Sequence, residues 1–138
     1  MRFTIDDGEV VRLVTATIAY DTVIAAGDLV ALDTGLIIKA LAASTATAYC
    51  PKGHAAGTAG VDVTCEVTVG NDFTLRGTLD TTYLVTHQAT VCTIDDTTQY
   101  IDVSDTTGTD LLVVGIGTDV GVVGSASAVK CRINKPLF

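Results

Sequence analysis

The residues with most chemistry to offer are four cysteines and two histidines, and their spacing limits what that chemistry could be. Cys50 and His54 bracket the stretch CPKGH, which places a thiol and an imidazole close together. Structural zinc needs two compact ligand pairs, and this is one half of that pattern. A small metal-binding protein would have to complete it with His87 and Cys92. Zinc content would distinguish that reading at once. Cys50, Cys65, Cys92 and Cys131 contain no Cys-x-x-Cys spacing, and they allow two disulfides in three connectivities. A cytoplasmic chain keeps such thiols reduced, whereas a particle that leaves the cell can oxidise later. The expectation is buried free thiols, with no bound metal and no cofactor.

Other reactive groups lack their settings. Asp6-Asp7 and Asp95-Asp96 are adjacent, but neighbours on a strand point to opposite faces. Glycosidase chemistry needs two carboxylates at a set separation across a cleft, and a calcium loop needs a spacing that is absent here. These acids read as turn caps. The stretch GIGTDVGVVGS lacks the Gly-Lys-Ser/Thr ending of a phosphate loop, and no Gly-x-Ser-x-Gly occurs. The sequence therefore reads as that of a non-enzyme with no catalytic residues.

The elements that carry these residues are read as strands. Thr and Val dominate the 138 residues, with Ile in support, and such β-branched side chains favour a pleated surface. Fourteen of the 16 acids are Asp, a turn former, and only two are Glu. There is no Trp and Phe occurs three times, so the core must be aliphatic. The formal charge of -8 and the scattered Lys and Arg argue against nucleic acid as a partner. No run reaches the roughly 18 apolar residues of a membrane span. The opening MRFTIDDGEVV lacks a signal-peptide pattern.

Along the chain, Glu9–Tyr20 reads as a strand with Val14, Ala16 and Ile18 on its apolar face. Ala26-Gly27-Asp28 turns the chain into a strand at Leu29–Leu32. Asp33-Thr34-Gly35 turns it again into Leu36–Leu41, giving a hairpin. Ala40–Gly60 reads as a strand end followed by an exposed loop. Val61–Val69 alternates cleanly, with Val63, Cys65 and Val67 against Thr64, Glu66 and Thr68. Further strands are expected at Phe73–Arg76, Thr90–Ile94, Gln99–Val103, Leu111–Ile116, Val120–Val123 and Ala128–Ile133. The fold class is all-β, a small β-barrel or β-sandwich of about eight to ten short strands. Residues 11–138 form a single domain, preceded by an extended N-terminal arm at 1–10.

Three stretches resemble the small capsid decoration, or cement, proteins of tailed bacteriophages. They are IAAGDLVALDTGLIIKALA at 24–42, PKGHAAGTAGVDVTCEV at 51–67, and LLVVGIGTDVGVVGSASAVKCRINKPLF at the carboxyl end. The resemblance covers about half the chain. It implies a β-rich protein assembled in the host cytoplasm and carried on the outer capsid surface of the virion. Its partner would be the major capsid protein, and it would be a homo-oligomer with a trimer favoured. It also implies an amino-terminal arm that adds a strand to a capsid sheet, with Phe3 and Ile5 as anchors. Equally, these residues can begin the domain's own first strand. Lys135, Leu137 and Phe138 in the terminal NKPLF form a second candidate contact. A different class, a carbohydrate- or host-binding β module of a fibre or surface appendage, would need aromatic platforms from Tyr49, Tyr83 and Tyr100.

Overall fold

The computed structural model describes residues 3–8, 13–18, 23–41, 45–52, 63–105, 111–113, 120, 124 and 128–136. The protein is all-β. Among the described residues eleven strands form two sheets, neither closed into a barrel. Strands β1 (Phe3–Gly8), β7 (Phe73–Thr78), β11 (Ala128–Ile133), β10 (Leu111–Val113), β8 (Val91–Ile94) and β9 (Ile101–Asp102) follow one another across the first sheet. The second runs β5 (Ala48–Cys50), β3 (Asp28–Asp33), β4 (Leu36–Lys39), β2 (Leu13–Ile18) and β6 (Val63–Thr68). Nearly all pairings are antiparallel; β2 meets β4 in parallel through Ile18 and Ile37.

The hairpin expected around Asp33-Thr34-Gly35 forms. Asp33 pairs with Leu36, leaving a two-residue turn. Thr34 and Gly35 both have positive φ, 50° and 84°, as the tight turn matched to strand twist requires. Inward and outward residues alternate through Thr64–Val67 of β6 as the pattern predicts. Thr68 departs from it and is buried, because its hydroxyl accepts the Tyr49 N–H at 2.9 Å.

Two apolar clusters organise the molecule. The larger takes Phe3, Phe73, Leu75, Leu111, Val129 and others from the first sheet, with Leu29, Ala31 and Tyr49 from the second. The two sheets therefore share one core in the manner of a sandwich. The smaller cluster holds Ile18, Ile24, Val30, Ile37, Ala48, Cys50, Cys65 and Val67, drawn from every strand of the second sheet. Strand β3 separates the clusters and is buried on both faces, with Leu29 and Ala31 on one side and Val30 on the other. A continuous apolar run, rather than alternation, is the sequence mark of such a strand.

Several expectations are revised. Residues 46–50 are buried and include strand β5, where an exposed loop was expected. Strand β2 forms, but Leu13 and Val14 at its start are exposed at 40% and 37%. Gln99 lies outside any strand, with φ 55°, and β9 is confined to Ile101–Asp102. Its place on the chain is a turn after β8, anchored by Asp95. The Asp95 Oδ1 atom accepts from the backbone N–H groups of Thr97 and Thr98, at 2.9 and 2.8 Å, and from the Thr98 hydroxyl at 3.0 Å. Most of the expected strand at Val120–Val123 and all of His54 lie outside the described residues.

Of the residues read as an N-terminal arm, Phe3–Gly8 form a strand of the domain's own sheet. Strand β1 pairs antiparallel with β7, Phe3 opposite Gly77 and Ile5 opposite Leu75. Phe3 is fully buried. Its N–H donates to the Gly27 carbonyl at 3.1 Å, and its carbonyl accepts the Tyr49 hydroxyl at 3.1 Å. The segment thus stitches the two sheets together.

Candidate functional site

Among the described residues, Cys50, His87 and Cys92 do not come together. Cys50 lies in the smaller cluster and Cys92 in the larger, on different sheets. His87 ends a single 3-10 turn, Val85–His87, where its Nδ1 accepts the Leu84 N–H at 3.1 Å. Its ring rests 6.1 Å from that of Tyr83. That histidine is committed to local structure. Among the described residues no group of three His, Cys, Asp or Glu side chains converges as metal ligands would.

The aromatic platform is also dispersed. Tyr49 and Tyr83 are buried, and Tyr100 is exposed at 43%. Burial, then the neighbouring Cys50, pushes the Tyr49 hydroxyl above its ordinary value. It is a hydrogen-bond donor locking Phe3, not a surface for a sugar ring.

A carboxylate pair does form, at a place spacing could not reveal. Leu79 bridges Ile101, and Asp80 N–H donates to the Ile101 carbonyl at 3.0 Å. This brings the Asp80 and Asp102 carboxyls into contact. Partial burial, then the charge of Asp102, raises the Asp80 carboxyl above its ordinary range. Asp102 Oδ1 is engaged by the N–H and hydroxyl of Ser104, at 3.0 and 2.6 Å, and by the Asp105 N–H at 3.2 Å. The pair serves the loop that follows β9.

Asp95 shows the opposite shift. The N–H and hydroxyl of Thr98, then the N–H of Thr97, hold its carboxyl below the usual range. A depressed folded value gives stability that is present above the unfolded value and lost as pH falls through the folded one. Asp95→Asn keeps an acceptor oxygen but not the charge. Its melting temperature is expected to fall below that of the parent at neutral pH, with the gap closing on acidification below the ordinary carboxylate range. Melting curves across that range check this; a gap independent of pH would contradict it.

What the fold presents outward is apolar side chains on ordered backbone. Leu84 and Val85, at the 3-10 turn, are exposed at 48% and 57%. Ile5, at 42%, lies on β1, the terminal strand of its sheet. Of the contacts expected from sequence, Phe3 is in the core and Ile5 and Lys135 are exposed, while Leu137 and Phe138 fall outside the described residues. Leu84 and Val85 were missed because Thr78–Gln88 has no regular apolar period; adjacent Leu and Val in a polar stretch were the available signal.

Comparison with protein families, with curated proteins and with solved structures returns no match to this chain.

Proposed function

We propose that this chain is a capsid decoration protein that binds the outer surface of a tailed-bacteriophage head and stabilises contacts between major capsid subunits. The observation that carries this reading is the edge strand β1 with its exposed Ile5. Natural proteins usually blunt or cover a sheet edge, because unpaired backbone groups recruit another strand. Here the terminal strand carries an exposed isoleucine. The outward backbone groups of Phe3 are already taken by Gly27 and Tyr49, so a partner adding a strand would gain its backbone hydrogen bonds beyond Phe3, with a contact for Ile5. The likeness of residues 24–42, 51–67 and the carboxyl-terminal stretch to cement proteins supports the same reading, as does a stiff all-β fold. In this account the protein acts as a trimer on the lattice, and Lys135 and the NKPLF terminus supply a second contact.

The test is cosedimentation with heads built from the major capsid protein of the same genome. Saturable binding at micromolar concentration or below is expected. Ile5→Asp is expected to weaken binding by at least about tenfold, the effect of about 1.4 kcal/mol, while the melting temperature stays within about 2 °C, as for a surface substitution. Absence of parent binding would overturn the proposal.

A further inference from the structure

All four cysteines are buried free thiols, so pairing depends on which of them the fold makes neighbours. Cys92 on β8 and Cys131 on β11 flank β10, where Leu111 pairs with Cys92 and Val113 with Cys131. Two strand spacings of roughly 4.8 Å lie between them, beyond the roughly 7 Å that a disulfide tolerates between Cα atoms. Their sulfurs also point to separate backbone carbonyls, Cys92 Sγ to Leu111 and Cys131 Sγ to Leu75.

Cys50 and Cys65 are differently placed. Both line the smaller cluster, at 0% and 6% exposure, and their side chains hydrogen-bond each other. They sit on β5 and β6, the two outer strands of the second sheet. These edges approach without a ladder between them. Tyr49 N–H reaches the Thr68 hydroxyl at 2.9 Å, and Lys52 Nζ lies 3.0 Å from Glu66 Oε2.

We propose that Cys50 and Cys65 form a disulfide that staples the open edges of the second sheet when the protein meets an oxidising low-molecular-weight disulfide. Cys65, the more accessible thiol, attacks one sulfur of the oxidant as thiolate and expels a thiol. Cys50 then attacks the Cys65 sulfur of the mixed disulfide and expels the second thiol. Two protein thiols become one disulfide, the oxidant is reduced to two thiols, and the two protons pass to the leaving thiolates. The hydrogen bond to Cys50, then burial, pushes the Cys65 thiol well above its ordinary value. Little thiolate is present at neutral pH, so oxidation is slow there and faster in mild alkali. Cys92 and Cys131 have no role in this step, and the inference does not depend on the capsid reading.

The folded protein would be incubated with oxidised glutathione, then unfolded with iodoacetamide present and digested. The expected result is a loss of about 2 Da from the intact protein, a peptide cross-link between Cys50 and Cys65, and full alkylation of Cys92 and Cys131. The melting temperature should rise by about 10 °C for a loop of this length and return with dithiothreitol. Cys65→Ser should show neither cross-link nor gain. Alkylation of all four cysteines, a cross-link that includes Cys92 or Cys131, or a glutathione adduct without a cross-link would overturn the proposal.

Discussion

Gln99→Ala is expected to cost about 3–5 kcal/mol, a fall in melting temperature of roughly 10–15 °C. Gln99 is 1% exposed, and its amide is inserted where the β3–β4 ladder would otherwise continue. Oε1 accepts the Leu29 N–H at 2.9 Å, while Nε2 donates to the Leu29 and Ala40 carbonyls at 3.0 and 3.1 Å. The side chain behaves as an extra peptide group borrowed from a turn 70 residues away. Its removal leaves buried backbone groups without these partners, at about 1–3 kcal/mol each. The backbone opposes this gain, since φ of 55° is unfavourable for a residue other than glycine. Gln99→Gly should therefore lose less than Gln99→Ala. In Gln99→Glu the new carboxylate would face two carbonyls, which raises its folded value. Any stability recovered at low pH should then be lost as pH rises through that value. Denaturant unfolding of the three variants measures this; a loss under about 1 kcal/mol for Gln99→Ala would show that the amide is dispensable.

Phe3→Ala is the second large effect, expected at about 3–5 kcal/mol. The ring fills a notch that exists because residue 77 has no side chain. A Cβ on Gly77 would stand 2.7 Å from Phe3 Cδ1 and 2.9 Å from Ile101 Cδ1, with Phe3 Cε1 closer still. Gly77→Ala should thus cost about 1–3 kcal/mol by overpacking, chiefly by displacing β1. Phe3→Ala removes the ring it strikes, so the two losses should not add. Their shortfall in a double-mutant cycle measures the contact, and strict additivity would contradict this packing. Deletion of residues 1–10 should likewise unfold or strongly destabilise the domain. Ile5→Ala, on the same strand but 42% exposed, should change stability by less than about 1 kcal/mol.

That contrast shows where the sequence was informative. Alternation in Thr64–Val67, the Thr34-Gly35 turn and the limits of β11 at Ala128–Ile133 depend on local chemistry, and all were legible. What was not legible depends on residues brought together from afar. A glutamine beside Asp95-Asp96 reads as strand or surface until β3 and β4 are seen against it. Phe3 reads as an arm anchor until Gly77 supplies its notch. Asp80 and Asp102 become neighbours only through the bridge of Leu79 to Ile101. Cys65 was recognisable as core from its own strand, but its partner Cys50 lies in an alanine-rich stretch with no period to place it. Composition could indicate an all-β chain; the choice of which buried groups meet belongs to topology.

The proposed role concerns the stability of a larger particle, so that is the quantity to measure. Heads of the same genome's major capsid protein should be heated with and without this protein, following disruption by light scattering or release of packaged DNA. The account predicts that disruption moves to higher temperature as the protein is added, levels off at a fixed number of copies per head, and requires Ile5. A disruption temperature unchanged at saturating protein would contradict it.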